Sequence, residues 1–313
     1  MMAYVPGELK PFFGKKETVY GQTPTSSLDF LGMAVDAQFK HELHQTKDTW
    51  SESRFYAPKS CVLEQEEAAV QISARLLSPE SGYDPIAGLI EGALGTAGGT
   101  SPLGRLPSYS MLVEITQGAT QGLYLLNGGK VKSLTIDVPN QGARPLLQAE
   151  IWARHAEKVG AGRVVSGFQS LTLPAAPAVP NTYALQWKAP VTLISGATRT
   201  IYPQSWKLKI ENNLSRQLGS LVGADGLTYA CTQALFEGKG DISLEQVLYL
   251  EDLVFLDEML ANQAITSWST AFAGKTLTLA NGHYQLDSGA WPQFEQDVMQ
   301  QTLKTMHTGA TIA

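Results

Sequence analysis

The chain has no run of about 18 apolar residues, so nothing in its sequence reads as a membrane-crossing helix. Its start, Met1-Met2-Ala3-Tyr4-Val5-Pro6-Gly7, lacks the basic-then-apolar order of a secretory signal. The expectation is a chain made and folded in the cytoplasm, with no membrane partner. Cysteine is scarce. The two present, Cys61 and Cys231, lie far apart among strand-like residues, which favours buried thiols over a disulfide, a metal pair or a nucleophile. Charge is sparse as well, at 17% Asp, Glu, Lys and Arg with a formal net charge of -6. A chain that grips nucleic acid needs a positive surface, so that class is disfavoured; one that lets nucleic acid slide past is not.

Glycine and proline, by contrast, are plentiful: 29 and 16 residues, with 43% hydrophobic residues overall. That composition suits many short strands joined by turns, and the fold class expected is mainly β. Residues 1–30 hold Pro6, Pro11 and Pro24 among glycines and a Thr/Ser cluster, and read as an extended arm that needs a partner to pack on. Val70, Ile72, Ala74 and Leu76 alternate with polar residues as a strand does. Asp84 to Leu94 then has a capping residue, a proline at the first helical position and Ile86, Leu89, Ile90 and Ala93 on one face, the pattern of a short helix. Strands are expected at 111–115, 131–138 and 147–152, and Asn127-Gly128 reads as a hairpin turn.

The stretch 173–182 holds three prolines and suits a semi-rigid linker. Beyond it the order recurs. Trp206 to Ile210 alternates, a long polar stretch follows, Ala234 to Leu244 returns as a strand, and Leu250 to Gln263 has helical spacing. Asn281-Gly282 reads as a second hairpin turn, and Phe294 to Met306 as a strand. Two long loops, Lys40 to Ser60 and Glu211 to Tyr229, match across the halves, and loops of that length are uncommon unless they do something. The organisation predicted is an arm at 1–30, two similar β-sandwich units at 31–172 and 183–313, and the linker at 173–182.

Motifs for chemistry are absent or malformed. His41-Glu42-Leu43-His44 has its histidines three apart, not four on one helical face, so no metal ligand set is predicted. Asn127-Gly128-Gly129-Lys130 lacks both the spacing and the Ser/Thr of a phosphate loop, and no Gly-x-Ser-x-Gly elbow occurs. No catalytic residue, cofactor site or metal site is assigned, and the chain is not expected to be an enzyme. Six tryptophans, among them Trp152, Trp187, Trp268 and Trp291, leave one alternative open, a carbohydrate-binding or hydrolytic β-sandwich.

Several stretches together resemble the tail tube proteins of siphophages, the long-tailed bacteriophages. Lys15 to Pro24 is similar to their Glu-Thr-x-Tyr-Gly-x-x-Pro start, through Glu17, Thr18, Tyr20, Gly21 and Pro24. Val131 to Val138 resembles their Val-x-Ser-Leu-Thr-Ile-Asp strand, Trp206 to Asn213 their Leu-x-Ile-x-Asn strand, and Gly240 to Leu244 their return strand. The resemblance implies duplicated β-sandwich units, each flanked by a helix, that join edge to edge into a continuous β-barrel ring in the virion. Stacked rings would form the tube for genome ejection. It implies as partners the chain itself, tail tip and terminator proteins, and a tape measure protein and passing DNA in the lumen without specific binding. Two tube units per chain favour three chains per ring with pseudo-sixfold symmetry; six chains is the alternative.

In such a tube the two long loops would bridge stacked rings. Their contacts are predicted at Gln45, Lys47, Asp48, Trp50, Arg54 and Phe55 in the first, and at Asn213, Arg216, Leu218 and Leu221 in the second. Glu64, Glu66 and Glu67 are candidates for an acidic lumen face that repels phosphate.

Overall fold

A computed structural model describes residues 10–22, 29–50, 57–75, 85–95, 106–117, 120–139, 145–159, 190–222, 228–250, 253–272, 275–285, 293–295 and 298–312. The elements in chain order are β1 (Lys10–Lys16), β2 (Asp29–Trp50), β3 (Ala57–Arg75), α1 (Pro85–Leu94), β4 (Tyr109–Gln117), β5 (Thr120–Val138), β6 (Leu146–Ala153) and β7 (His155–Val159). There follow β8 (Val191–Ser195), β9 (Ala197–Ile201), β10 (Ser205–Glu211), β11 (Ser215–Val222), β12 (Thr228–Phe236), β13 (Asp241–Leu250), α2 (Val254–Leu260), β14 (Ala264–Phe272), β15 (Lys275–Tyr284), β16 (Gln293–Glu295) and β17 (Val298–Ile312). The fold is mainly β, as the composition predicts, and every strand pairing is antiparallel.

Neighbour order exposes a repeat. In the first half the strands run β2-β3-β6-β5-β4, and in the second β10-β13-β17-β15-β14. Each half has its helix after the second strand of this order, and each places one further strand, β1 or β8, beside the last. The halves join where β5 pairs β10, from Val138 against Trp206 to Ser133 against Glu211, so one sheet runs through both.

Alternation builds the core. Val70, Ile72, Leu134, Ile136, Leu147, Leu208, Ile210 and Leu244 point to one face and are at most 2% exposed. Leu89, Ile90 and Ala93 of α1, Phe255 and Met259 of α2, and the strands β4, β8 and β14 cover that face. Each fully buried Leu or Ile contributes about 1.5–3 kcal/mol over its exposed state. The sheet is thereby fixed in register, because a slip of one residue would turn the apolar set outward.

Three sequence expectations change. The stretches Lys40 to Ser60 and Glu211 to Tyr229 are not loops. Residues 40–50 pair with 57–69 as the arms of the β2–β3 hairpin, and 215–222 pair with 228–236 in β11–β12. Their polar composition obscures the alternation that would have marked them as strands. Asn127-Gly128 and Asn281-Gly282 are not hairpin turns either: both lie inside continuous strands, β5 and β15. Gly128 has φ 62° and Asn281 φ 49°; the β4–β5 ladder slips at Gly128, which makes it a bulge, while the β14–β15 ladder passes Asn281 in constant register. Finally, Ala234 to Leu244 is not one strand but the end of β12, a turn at 237–240 and the start of β13.

The helices fall at Pro85–Leu94 and Val254–Leu260, the second shorter than its periodicity suggests, and most of Phe294 to Met306 is strand. The proline-rich stretch 173–182 lies outside the described residues.

Candidate functional site

Among the described residues no group of three or more His, Cys, Asp or Glu could hold a metal ion. His41 and His44 are on β2, opposite Ala68 and Gln65. Cys61 and Cys231 sit on different hairpins, opposite Lys47 and Gly219. Two of the tryptophans that suggested a sugar platform are accounted for. Trp268 is 1% exposed and meets the Trp206 ring edge-on at 5.6 Å, while Trp152 belongs to the seam described next. Trp187 and Trp291 lie outside the described residues.

The most elaborated polar chemistry in the chain is at the seam between the two repeats. Asn212, at the end of β10, is buried and donates through Nδ2 to the Ala93 carbonyl at the end of α1 (3.0 Å) and to the Val131 carbonyl (2.9 Å). Arg216 of β11 reaches across to the first repeat. It donates to the Ala68 carbonyl at 3.1 Å and lies 4.6 Å from the ring centre of Trp152. The other neighbour of that ring is Lys132, at 4.5 Å, which also pairs with Glu150 at 3.2 Å.

Where β12 ends, Lys130 Nζ donates to Glu237 Oε1 at 2.5 Å and to the Leu235 carbonyl at 3.2 Å. Glu237 Oε2 accepts the Leu106 amide at 3.0 Å. A cavity of about 580 Å³ opens beside this pair, lined by Tyr20, Leu106, Lys130 and Leu235 among others. Burial pushes the Tyr20 phenol above its ordinary value, partly offset by the Leu235 backbone.

Beneath the pair lies Glu17, 7% exposed. Its carboxylate accepts Ser110 Oγ (2.7 Å), the Gly128 amide (2.8 Å) and the Gly21 amide (2.7 Å). Glu17 thus closes its own Thr18-to-Gly21 turn and clamps the β5 bulge, and Lys130, two residues past Gly128, faces the Tyr20 ring at 5.2 Å. In the second repeat Glu258 of α2 has a comparable place, taking Ser195 Oγ (2.7 Å), Tyr284 OH (2.9 Å) and the Arg199 guanidinium.

The other face of the shared sheet is polar. Across β5, β6, β10, β13 and β17 it carries Lys132, Lys207, Lys209 and Lys304 against Asp137, Glu150, Glu211, Asp241 and Glu245. The signs are interleaved, with Lys209 2.8 Å from Glu211, so the face is close to neutral with a slight acidic excess.

The predicted contact residues distribute unevenly. Gln45, Lys47, Asp48 and Trp50 are paired along the β2–β3 hairpin, opposite Leu63, Cys61, Ser60 and Ala57. Arg54 and Phe55 lie outside the described residues. Asn213, at φ 44°, donates to the Lys239 carbonyl and to Asp241, and Arg216 serves the seam. Leu218 is 49% exposed on β11, and Leu221 sits further along it, opposite Tyr229. Glu66 and Glu67 pair with Leu43 and Glu42, and Glu64 lies at a ladder slip; all three precede Ala68, where pairing with β6 begins. The structure therefore places them on the hairpin, apart from the polar face of the shared sheet.

Sequence reading missed Glu17, Asn212, Lys130, Glu237 and Glu258 as structural groups. A signal existed for Glu17, since an acid followed by a Tyr-Gly turn is part of the matched opening, but nothing local marks a residue whose partners are a hundred positions away.

The family model described as phage tail tube protein matches residues 10–303, all but the two ends of the chain. No curated protein matches.

Proposed function

This chain belongs to the phage tail tube protein family, and we propose that it is a ring subunit whose rings stack into the channel for genome ejection. The family makes it a structural component of the virion that assembles with itself and other tail proteins. The observation that carries the finer reading is the β5–β10 seam. It joins two repeats of one strand order, side by side, through a continuous sheet. A head-to-tail junction of that kind, repeated by rotation, closes into a ring and removes exposed sheet edges.

Three chains then supply six repeats, with units at 31–172 and 183–313, a linker at 173–182 and an arm at 1–30. The interleaved face of the shared sheet lines the lumen. Its near neutrality leaves few fixed cations to hold phosphate by counterion release, so DNA passes without being retained. The predicted contact residues, Trp50, Arg54 and Phe55 in the first stretch and Leu218 and Leu221 in the second, reach the neighbouring ring. Tail tip and terminator proteins cap the ends of the tube, a tape measure protein occupies it before DNA does, and no catalytic step is involved. Synthesis takes place in the host cytoplasm.

Electron microscopy of the purified protein, with symmetry analysis of end-on views, tests this. Rings of three chains with pseudo-sixfold appearance are expected. Dispersed monomers would remove the reading, and six equivalent chains per ring would remove its stoichiometry.

A further inference from the structure

The repeat is matched closely enough to transfer contacts residue by residue. In β5 the left-handed residue is Gly128 and the partner of Lys130, two positions on, is Trp152; in β15 it is Asn281, and the partner of His283, two positions on, is Met306. Ala68 opens the β3–β6 ladder and Ile242 the β13–β17 ladder. The hairpins match too. The β11–β12 ladder slips by one residue between Gln217 and Leu218, and the β2–β3 ladder between Asp48 and Thr49. Lys47, opposite Cys61, therefore stands where Arg216 stands opposite Leu235.

Within the chain only one of the two hairpins has its counterpart surface beside it. The β11–β12 hairpin is seated on the first repeat, with Arg216 on Trp152 and on the Ala68 carbonyl. The equivalent surface of the second repeat, around Ile242 on β13 and Met306 on β17, is separated from β2 and β3 by β6, β5 and β10 in the strand order. The chain's own β2–β3 hairpin is on the far side of the first repeat from it.

We propose that the β2–β3 hairpin docks on the second repeat of another copy of this chain, bringing Lys47 to Met306 and the Ile242 carbonyl. The occupant is a second copy because the surface continues a junction already made once inside the chain, and the cation at position 47 keeps the sign of Arg216. This rests on the reading of the chain as a self-assembling ring subunit and deepens it. The two junctions are alike in geometry and unlike in chemistry. His283 replaces Lys130, Met306 replaces Trp152, and Lys304 stands where Glu150 does, so the seam between chains lacks the tryptophan sandwich of the seam within them.

The test uses full-length chains with Cys61→Ser and Cys231→Ser throughout, one batch carrying Lys47→Cys and the other Met306→Cys. The batches are mixed under conditions in which microscopy shows rings or tubes, and treated with a short bismaleimide. A chain carrying Arg216→Cys and Trp152→Cys is the control and should link internally. Covalent dimers of Lys47→Cys with Met306→Cys chains are the expected result, absent when either batch is treated alone. Assembled rings without that product, while the control links, overturn the docking. Dimers formed instead when the Lys47→Cys batch is mixed with a third batch carrying Trp152→Cys overturn it as well, by placing the hairpin on the first repeat. Chains that stay monomeric in light scattering overturn the self-assembly reading, and the docking with it.

Discussion

Gly128 and Asn281 hold the same left-handed backbone conformation at the same place in the two repeats, each inside a long strand, although the ladder slips only at Gly128. Left-handed φ is open to glycine at no steric cost and is tolerated by asparagine better than by most residues. The identity of the residue differs while the left-handed φ persists, so that backbone conformation is what the two repeats share.

Gly128→Ala should therefore destabilise the fold by about 1–3 kcal/mol, because left-handed strain adds to a contact in which the new Cβ meets Arg154 Cβ at 2.7 Å. Asn281→Gly should be neutral or slightly stabilising. Denaturant midpoints of the two variants check the pair, and equal losses would show that left-handed strain does not govern the two positions.

At the seam, Lys130→Met should cost about 3–5 kcal/mol, since Glu237 is left charged and 21% exposed. The double change Lys130→Met with Glu237→Leu should cost less than that single change. A double-mutant cycle in urea measures the difference, and simple additivity would mean that the pair does not hold the repeats together.

Arg216 and Trp152 should couple by about 1 kcal/mol, the value of a partly desolvated cation over an indole. A cycle of Arg216→Ala and Trp152→Ala reads it as stability of the monomer. Arg216→Lys should recover only part of it, because the guanidinium also donates to the Ala68 and Thr232 oxygens.

Acid should weaken the second repeat through His307. Its ring is 5% exposed, bonded to Thr305 at 2.9 Å and lying over Gly282, and burial lowers its pKa from 6.5 to about 4. The unfolded chain takes up that proton near pH 6.5 and the folded chain only near 4. The contribution is complete above pH 6.5 and is lost as pH falls between those values, by roughly 3 kcal/mol at about 1.4 per pH unit. His307→Gln should flatten the slope of stability over that window, which thermal unfolding at stepped pH would show.

Removing residues 49–59, the part of the β2–β3 hairpin beyond the Asp48–Ser60 pair, should leave subunits that fold and form rings but do not stack. Sedimentation and microscopy separate rings from tubes. Tubes of normal length from this deletion would assign ring stacking to another surface.

Fold class was legible because alternation and turn residues are local signals, and Val70 to Ala74 or Trp206 to Ile210 declare a buried face without reference to anything distant. The hairpins were misread as loops for the same reason: Lys40 to Ser60 is mostly polar in sequence, and a polar run leaves no apolar period to read. Asn-Gly reads as a turn from its φ preference alone, yet a bulge draws on the same preference, and only the pairing on either side distinguishes them. The seam was invisible because Glu17, Lys130, Asn212 and Glu237 acquire meaning only from the junction of two halves.

The covalent tie between the repeats also changes the thermodynamics of collecting parts. In the proposed ring of three chains, six separate units would give up translational freedom five times; three tethered pairs would do so twice, because the inner seams form at the high effective concentration set by the tether. Rings can then nucleate from more dilute protein. The links that must remain reversible, so that a misplaced subunit leaves before the tube grows over it, are only those between chains.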